Sequence, residues 1–137
     1  MSYAMASALQ AAVYQRLLAD PGVSGLVGAA VFDAVPEGEL PEIYVTLGTE
    51  TVRDRSDAAG TGAEHRFTVS VVSSAAGFGV AKEVAGAVSD ALSDARPTLS
   101  RGRVIGLWFE RAQARKTGTA GRIRQIDLRF RARLEDN

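Results

Sequence analysis

Apolar and polar residues alternate with a period of two near the end of the chain. The segment RQIDLRFRARL, residues 124–134, places an apolar residue at every second position from Ile126 to Leu134. Successive side chains of a strand point to opposite faces, so this pattern predicts a strand with one buried and one polar face. The polar face carries three arginines in a row, which are Arg129, Arg131 and Arg133.

Similar alternation predicts further strands upstream. Isoleucine, valine, leucine and phenylalanine recur at every second position in each of them. The predicted strands are Glu42–Glu50, His65–Ser74 and Arg103–Ala112, with a brief extended segment at Val31–Asp33.

Two stretches have the apolar spacing of amphipathic helices. Met5–Asp20 and Val80–Ala95 carry apolar residues at i and i+4 with polar residues between them. Pro21-Gly22 is expected to end the first helix and Pro97 the second. A further short turn is predicted over Val23–Val27.

Two segments lack either period and are predicted to be mobile hairpin loops. Thr51–Glu64 is polar and rich in small residues, and Gln113–Gly121 is basic. Loops longer than about 12 residues are usually functional or disordered. Both are therefore candidates for segments that become ordered when a partner binds.

The order of these elements predicts an α+β fold. The simplest packing places two helices on one face of a sheet of about four mainly antiparallel strands, with long hairpin loops. The length of 137 residues fits a single domain over residues 1–137.

Charge is balanced overall but unevenly distributed along the chain. Sixteen basic residues oppose sixteen acidic ones, yet the region from Arg96 to Leu134 contains only Glu110 and Asp127 as acids. Complementary charged faces favour specific association. The zero net charge does not predict strong non-specific affinity for nucleic acid.

Several classes of chemistry find no support in the sequence. The absence of cysteine excludes disulfides and thiolate catalysis. No apolar run reaches about 18 residues, so no membrane span is predicted. The first residues lack the pattern of a secretory signal. These features predict a protein of a cytoplasm-like compartment, or of a particle assembled there.

No catalytic, cofactor or metal site is predicted. His65 is the one histidine, and it is expected at the surface where a strand begins, with Glu64 pointing the other way. The spacing of Asp54, Asp57 and Glu64 does not match a calcium loop. The segment Ser73–Lys82 joins a strand to a helix but lacks the residue order of a phosphate-binding loop.

The charged residues of the two loops and of the last strand are the candidate interaction residues. Three interpretations fit them: contacts with phosphates, a solvated surface, or contacts with acidic groups of another subunit. Like charges two residues apart repel, so acidic side chains of a neighbouring strand or subunit are expected beside the arginines. The candidates are Arg53, Arg55, Asp57, Arg115, Lys116, Arg129, Arg131 and Arg133.

The order of several short motifs resembles one protein family. The chain reads ALQAAVYQRLLAD, PGVSGLVG, VFDAVPEG and LPEIYVTLG, followed by EHRFTVSVVS, AKEVAGAVSDAL and RIRQIDLRFRARL. Together these motifs span about residues 8–134. This arrangement resembles the tail terminator family, also called tail-completion or tail-to-head joining proteins, of long-tailed phages, prophages and gene transfer agents.

The resemblance implies a structural protein of a virion or phage-like particle. Such proteins form a ring, typically of six subunits, at the head-proximal end of the tail tube, and they are not enzymes. The implied partners are other copies of the chain, the tail tube protein and a head-completion or connector protein. Genome DNA is implied to pass through the ring without sequence specificity, and no cofactor or membrane is involved.

Two alternatives from other functional classes remain open at the level of sequence. A small nucleic-acid-binding module would bind DNA with a steep dependence on salt. A small α+β enzyme or ligand-binding domain would have a deep cleft lined by His65 and carboxylates.

Overall fold

The computed structural model describes residues 3–57 and 60–137 and contains a five-stranded sheet. The strands are β1 (Val31–Phe32), β2 (Ile43–Asp54), β3 (Gly62–Ser73), β4 (Arg103–Thr117) and β5 (Ile123–Glu135). Their order in the sheet is β1-β2-β3-β5-β4. The short β1 runs parallel to β2, and the other neighbours are antiparallel.

Three α-helices pack on one face of this sheet. They are α1 (Ala6–Ala19), α2 (Pro21–Val27) and α3 (Gly79–Leu92), and a 3-10 turn covers Thr119–Gly121. Buried residues of the helices form one core with the alternate residues of β3 and β5. The α+β class is confirmed. The described residues form five strands and three helices, one more of each than the sequence predicted.

The extra helix begins where the sequence pattern predicted only a chain break. Asp20 caps α2, because its carboxylate accepts a hydrogen bond from the Val23 amide at 3.0 Å. Pro21 follows at the start of the helix, where the backbone amide has no acceptor within the helix and its absence in proline costs no hydrogen bond. The fixed φ of proline also suits helical geometry. Pro21-Gly22 therefore ends α1 and starts α2, and the predicted short turn is a helix.

The two predicted long loops are mostly strand, so this prediction was wrong. β2 continues to Asp54 and β3 begins at Gly62, which leaves a short hairpin closed by Arg55 N–H donating to Gly62 O at 2.9 Å. Ala58 and Ala59, part of the predicted loop Thr51–Glu64, lie outside the described residues. β4 likewise continues to Thr117 through most of Gln113–Gly121.

The sheet has two unlike edges. β4 forms one edge along its full 15 residues, with β5 as its neighbour. At the other edge β1 pairs with only Val45 and Thr46 of β2. Within residues 3–57 and 60–137, no helix combines the length and apolar character needed to cross a membrane.

Candidate interaction surfaces

The face of the sheet opposite the helices carries most of the candidate arginines. Arg66 of β3 lies opposite Arg131 of β5, and Arg129 and Arg133 flank Arg131 on the same face because strand side chains alternate. Trp108 of β4 lies opposite Arg131 from the other side. We call this surface the arginine face; it also includes Glu64, Glu110 and Arg55.

Glu64 is the buried acid at the centre of the arginine face. Its side chain is only 7% exposed, and Arg66 Nη1 lies 2.6 Å from its carboxylate. Arg131 Nη1 approaches the same carboxylate at 3.5 Å and Arg55 Nε at 3.8 Å. One buried charge is therefore shared by three guanidinium groups.

Glu110 is the second acid of the arginine face. The pairing of β4 with β5 shifts register between Phe109 and Arg111, which leaves Glu110 at a β-bulge. Arg66 Nε donates to its carboxylate at 3.1 Å, and Arg129 and Arg131 lie at 3.6 and 3.9 Å. The prediction that acids of a neighbouring strand or subunit offset the arginine row is confirmed for Arg129 and Arg131, whose acids come from neighbouring strands.

Trp108 is a member of the arginine face that the sequence pattern did not indicate. The Arg131 guanidinium lies 4.5 Å from the centroid of the indole ring, within the range of a cation–π interaction. The ring also covers Gly106, where an added Cβ would lie 2.2 Å from a Trp108 ring carbon. The feature of the sequence that could have indicated this packing is the glycine two residues before the tryptophan in the same strand.

The hairpin that joins β2 and β3 carries the candidate residues Arg53, Arg55 and Asp57. Arg133 Nη2 donates to the Arg55 carbonyl at 2.8 Å, so β5 fixes the base of this hairpin. Asp57 lies at the tip, in a bridge with Gly60. Arg53 is exposed and lies opposite Glu64, on the arginine face. The sheet thus brings Arg55 and Arg131 to the carboxylate of Glu64, with Arg53 and Arg133 paired to Glu64 from the two neighbouring strands.

Arg115 and Lys116 do not form the joint basic loop predicted from the sequence. They are adjacent in β4, so their side chains project from opposite faces of the sheet. Arg115 lies on the face that carries Asp127, whereas Lys116 lies opposite Arg124 on the helix side. The two cations therefore belong to different surfaces.

Asp127 organises a polar cluster beyond the arginine face. Its carboxylate accepts hydrogen bonds from Ser70 Oγ at 2.6 Å, Gln125 Nε2 at 2.9 Å and Arg115 Nε at 3.2 Å. Partial burial by itself raises the pKa of Asp127, but these three hydrogen bonds outweigh burial and hold the pKa below its ordinary value.

This lowered pKa predicts a pH-dependent effect of Asp127→Asn. A carboxylate whose pKa is lower in the folded than in the unfolded chain stabilises the protein at pH values above its pKa in the unfolded chain, which is about 3.9 for aspartate. This stabilisation is lost as the pH falls through the pKa of the folded state. We expect the variant to be less stable than the wild type at neutral pH, with a difference that shrinks below about pH 4. Urea unfolding across this range measures it, with the exposed Asp90→Asn as control. A difference that stays constant with pH would contradict the assignment.

His65 is buried, so its predicted surface position was wrong. Its side chain has 0% exposure and lies on the core side of β3, like Phe67. Glu50 of β2 partners one of the two ring nitrogens, because its carboxylate lies 3.1 Å from His65 Nδ1. Glu64 points to the opposite face, as predicted. A substrate in solvent does not reach this imidazole.

The charged side chains of the described residues are spread over the surface of the sheet. Among the described residues, no group of three or more histidine, aspartate or glutamate side chains is placed to hold a metal ion. The ion pairs instead tie strands together on one face of an open sheet whose edges are unlike. This architecture favours a protein that meets other macromolecules over extended surfaces.

Comparisons with known proteins identify the family. The family described as tail completion protein gp17 matches residues 11–135. A solved structure of the virion of a native gene transfer agent particle contains a similar chain, with 58% sequence identity and a TM-score of 0.92. The match covers 98% of the present chain and 99% of the virion chain. The comparison with curated proteins gave no match.

This chain belongs to the gp17 family of tail completion proteins. The predicted relationship to tail completion proteins of phages and gene transfer agents is confirmed, and so is the predicted placement in a virion or phage-like particle. Its role is a structural one in a phage-like tail.

Proposed function

We propose that this protein forms a ring at the head-proximal end of the tail tube. The ring stops polymerisation of the tube and provides the surface to which the head connector docks. Six copies make up the ring, and genome DNA passes through it without sequence specificity. The family match over residues 11–135 is the observation that carries this proposal.

The two unlike edges of the sheet support a ring of identical subunits. A contact between different surfaces of two copies is heterologous, and it closes into a ring when the rotation between copies fits. The β4 edge is long and open, whereas the β1 edge is short and continues into an acidic segment that includes Glu37, Glu39 and Glu42. Each copy therefore offers two different surfaces to its neighbours.

We assign the remaining charged candidates to contacts with neighbouring subunits and with the tail tube. Arg53 lies along the β2–β3 hairpin and Asp57 at its tip, and both are exposed. Arg115 and Lys116 lie near the end of β4. Because Arg129 and Arg131 are held by Glu110 and Glu64 within the chain, their free charge toward DNA phosphates is reduced, which suits passage without tight binding.

Deletion of the gene in cells that produce the particle tests the proposal. We expect tails of variable and excessive length and heads that remain unattached, since nothing ends the tube or connects it. Electron microscopy measures both, and a plasmid copy of the gene should restore fixed lengths and joined heads. Particles with normal tails and normal junctions in the deletion strain would overturn the proposal.

A further inference from the structure

An apolar groove lies between α3 and the β4 edge on the helix side of the sheet. Its floor is formed by Phe109, Ala112 and Ala114 of β4 with Ile126 and Leu128 of β5, and its volume is about 330 Å³. The helices leave this part of β4 uncovered, and Phe109 is 43% exposed. An exposed apolar surface beside an open strand edge is typical of a protein contact.

One lysine of the chain lines this groove and the other lies just beyond it on β4, so we call it the lysine groove. Lys82 of α3 lines it, and Lys116 lies two residues beyond Ala114 on the same face of β4. The described residues that line the groove include no acid. Neither lysine forms an ion pair within the described part of the chain, in contrast to the arginines of the arginine face.

The segment between β1 and β2 has the complementary character. Residues 33–42, which we call the acidic loop, contain four acids and no basic residue. Glu37 and Glu39 form no ion pair with any described residue of the chain. Two apolar side chains of the loop are also exposed, Val35 by 42% and Leu40 by 38%. The loop thus combines apolar side chains with negative charge.

The lysine groove and the base of the acidic loop lie on the same row of the sheet, at opposite edges. Ala114 pairs with Ile126, Ile126 with Val71, and Val71 with Val45. Val45 pairs in turn with Val31 of β1, the strand that leads into the acidic loop. A copy placed beside the β4 edge therefore needs little shift along the strands to bring its acidic loop to the groove.

We propose that the lysine groove of one copy receives the acidic loop of the next copy. Val35 and Leu40 pack on the apolar floor, and Glu37 and Glu39 pair with Lys82 and Lys116. This inference rests on the proposed ring, since it names the surfaces through which that ring closes.

Carbodiimide cross-linking of assembled particles tests this pairing, because the reagent joins lysine amines directly to carboxylates. With two lysines in the chain, the cross-linked peptides are few and unambiguous. We expect peptides that join Lys82 or Lys116 to Glu37, Glu39 or Glu42 of another copy. The double variant Lys82→Arg with Lys116→Arg keeps the charge and should assemble without these peptides. Cross-links from both lysines only to other carboxylates or to another protein would overturn the proposal.

Charge reversal provides the second test, with two variants that should fail alone and succeed together. The variants K82E/K116E and E37K/E39K should each complement a deletion strain at about one tenth of the wild-type efficiency or below. In each variant the groove and the acidic loop carry charges of the same sign and repel each other. A mixture of the two should recover, because alternating copies restore opposite charges around a ring with an even number of subunits.

Failure of this inference is distinguishable from failure of the proposed function. If both reversed variants alone complement as well as the wild type, the ring closes through other surfaces and the lysine-groove proposal is wrong. If the variants fail alone and their mixture also fails, the pairing is equally wrong, provided that circular dichroism shows folded proteins. The wild-type gene serves as the positive control and the deletion strain without a plasmid as the negative control, and normal tails and junctions in the latter would refute the proposed function itself.

Discussion

Glu64→Gln is expected to lower the free energy of unfolding by about 2–3 kcal/mol. The substitution keeps the shape of the side chain but removes the negative charge shared by Arg55, Arg66 and Arg131. Breaking a buried ion pair costs about 3–5 kcal/mol because the remaining charge loses its partner. The arginines are about one-third exposed here, so solvent offsets part of this loss.

Glu110→Gln is the matched control for Glu64→Gln. Glu110 contacts two of the same arginines, but its side chain is 26% exposed, compared with 7% for Glu64. We expect it to cost about 1 kcal/mol or less. Chemical denaturation of both variants gives the comparison. Equal losses would show that burial of Glu64 does not determine the strength of this cluster.

Phe130→Ala is expected to have the largest effect on stability, a loss of about 3–5 kcal/mol. Phe130 is fully buried, stacks on Phe67 with ring centroids 5.6 Å apart, and meets the edge of Phe109 at 5.8 Å. Removing the ring eliminates these contacts and leaves a cavity under the helices. Since domains of this size are stable by about 5–15 kcal/mol, much of the total would be lost.

Phe109→Ala separates core packing from surface contacts. Phe109 is partly exposed, so its removal should cost the folded chain about 1 kcal/mol. The same substitution removes part of the floor of the lysine groove, and we therefore expect weaker assembly from a stable protein. Thermal unfolding at equal protein concentrations measures the stabilities, and losses of equal size for the two phenylalanines would contradict the packing described here.

The elements with a strong local period were predictable from the sequence. In β5 every second residue from Ile126 to Leu134 is buried, as the alternation indicated. The same holds for α3, where Val84 and Val88 face the core at helical spacing. In both elements only one face is buried, so apolar residues recur in the sequence with the period of the strand or the helix.

Strand segments at the sheet edges were not predictable in this way. From Arg111 to Lys116 both faces of β4 are exposed, because the helices do not extend over this end. No face then selects apolar side chains consistently, and the pairing with β5 depends on backbone hydrogen bonds that the side chains do not reveal. The polar end of β2 was missed for the same reason.

The contacts of His65 and Glu64 depend on strand register, which the sequence did not specify. Glu50 pairs with Phe67 and Val52 with His65, so Glu50 reaches the imidazole diagonally across two strands. Of the arginines that Glu64 contacts, Arg66 is two residues away in the same strand, whereas Arg131 comes from β5, about 70 residues further along the chain, and Arg55 from the base of the hairpin. The arginine row was visible in the sequence, but the acids that neutralise it became identifiable only with the pairing of β3, β4 and β5.

Imaging tail tubes that lack this protein, before and after it is added in purified form, tests the central claim most directly. We predict new ring-shaped density at one end of each tube, and tubes that no longer lengthen when further tube protein is supplied. Bovine serum albumin added at the same concentration should change neither property. Tubes that keep growing with the protein present, or density spread along their sides, would contradict the account.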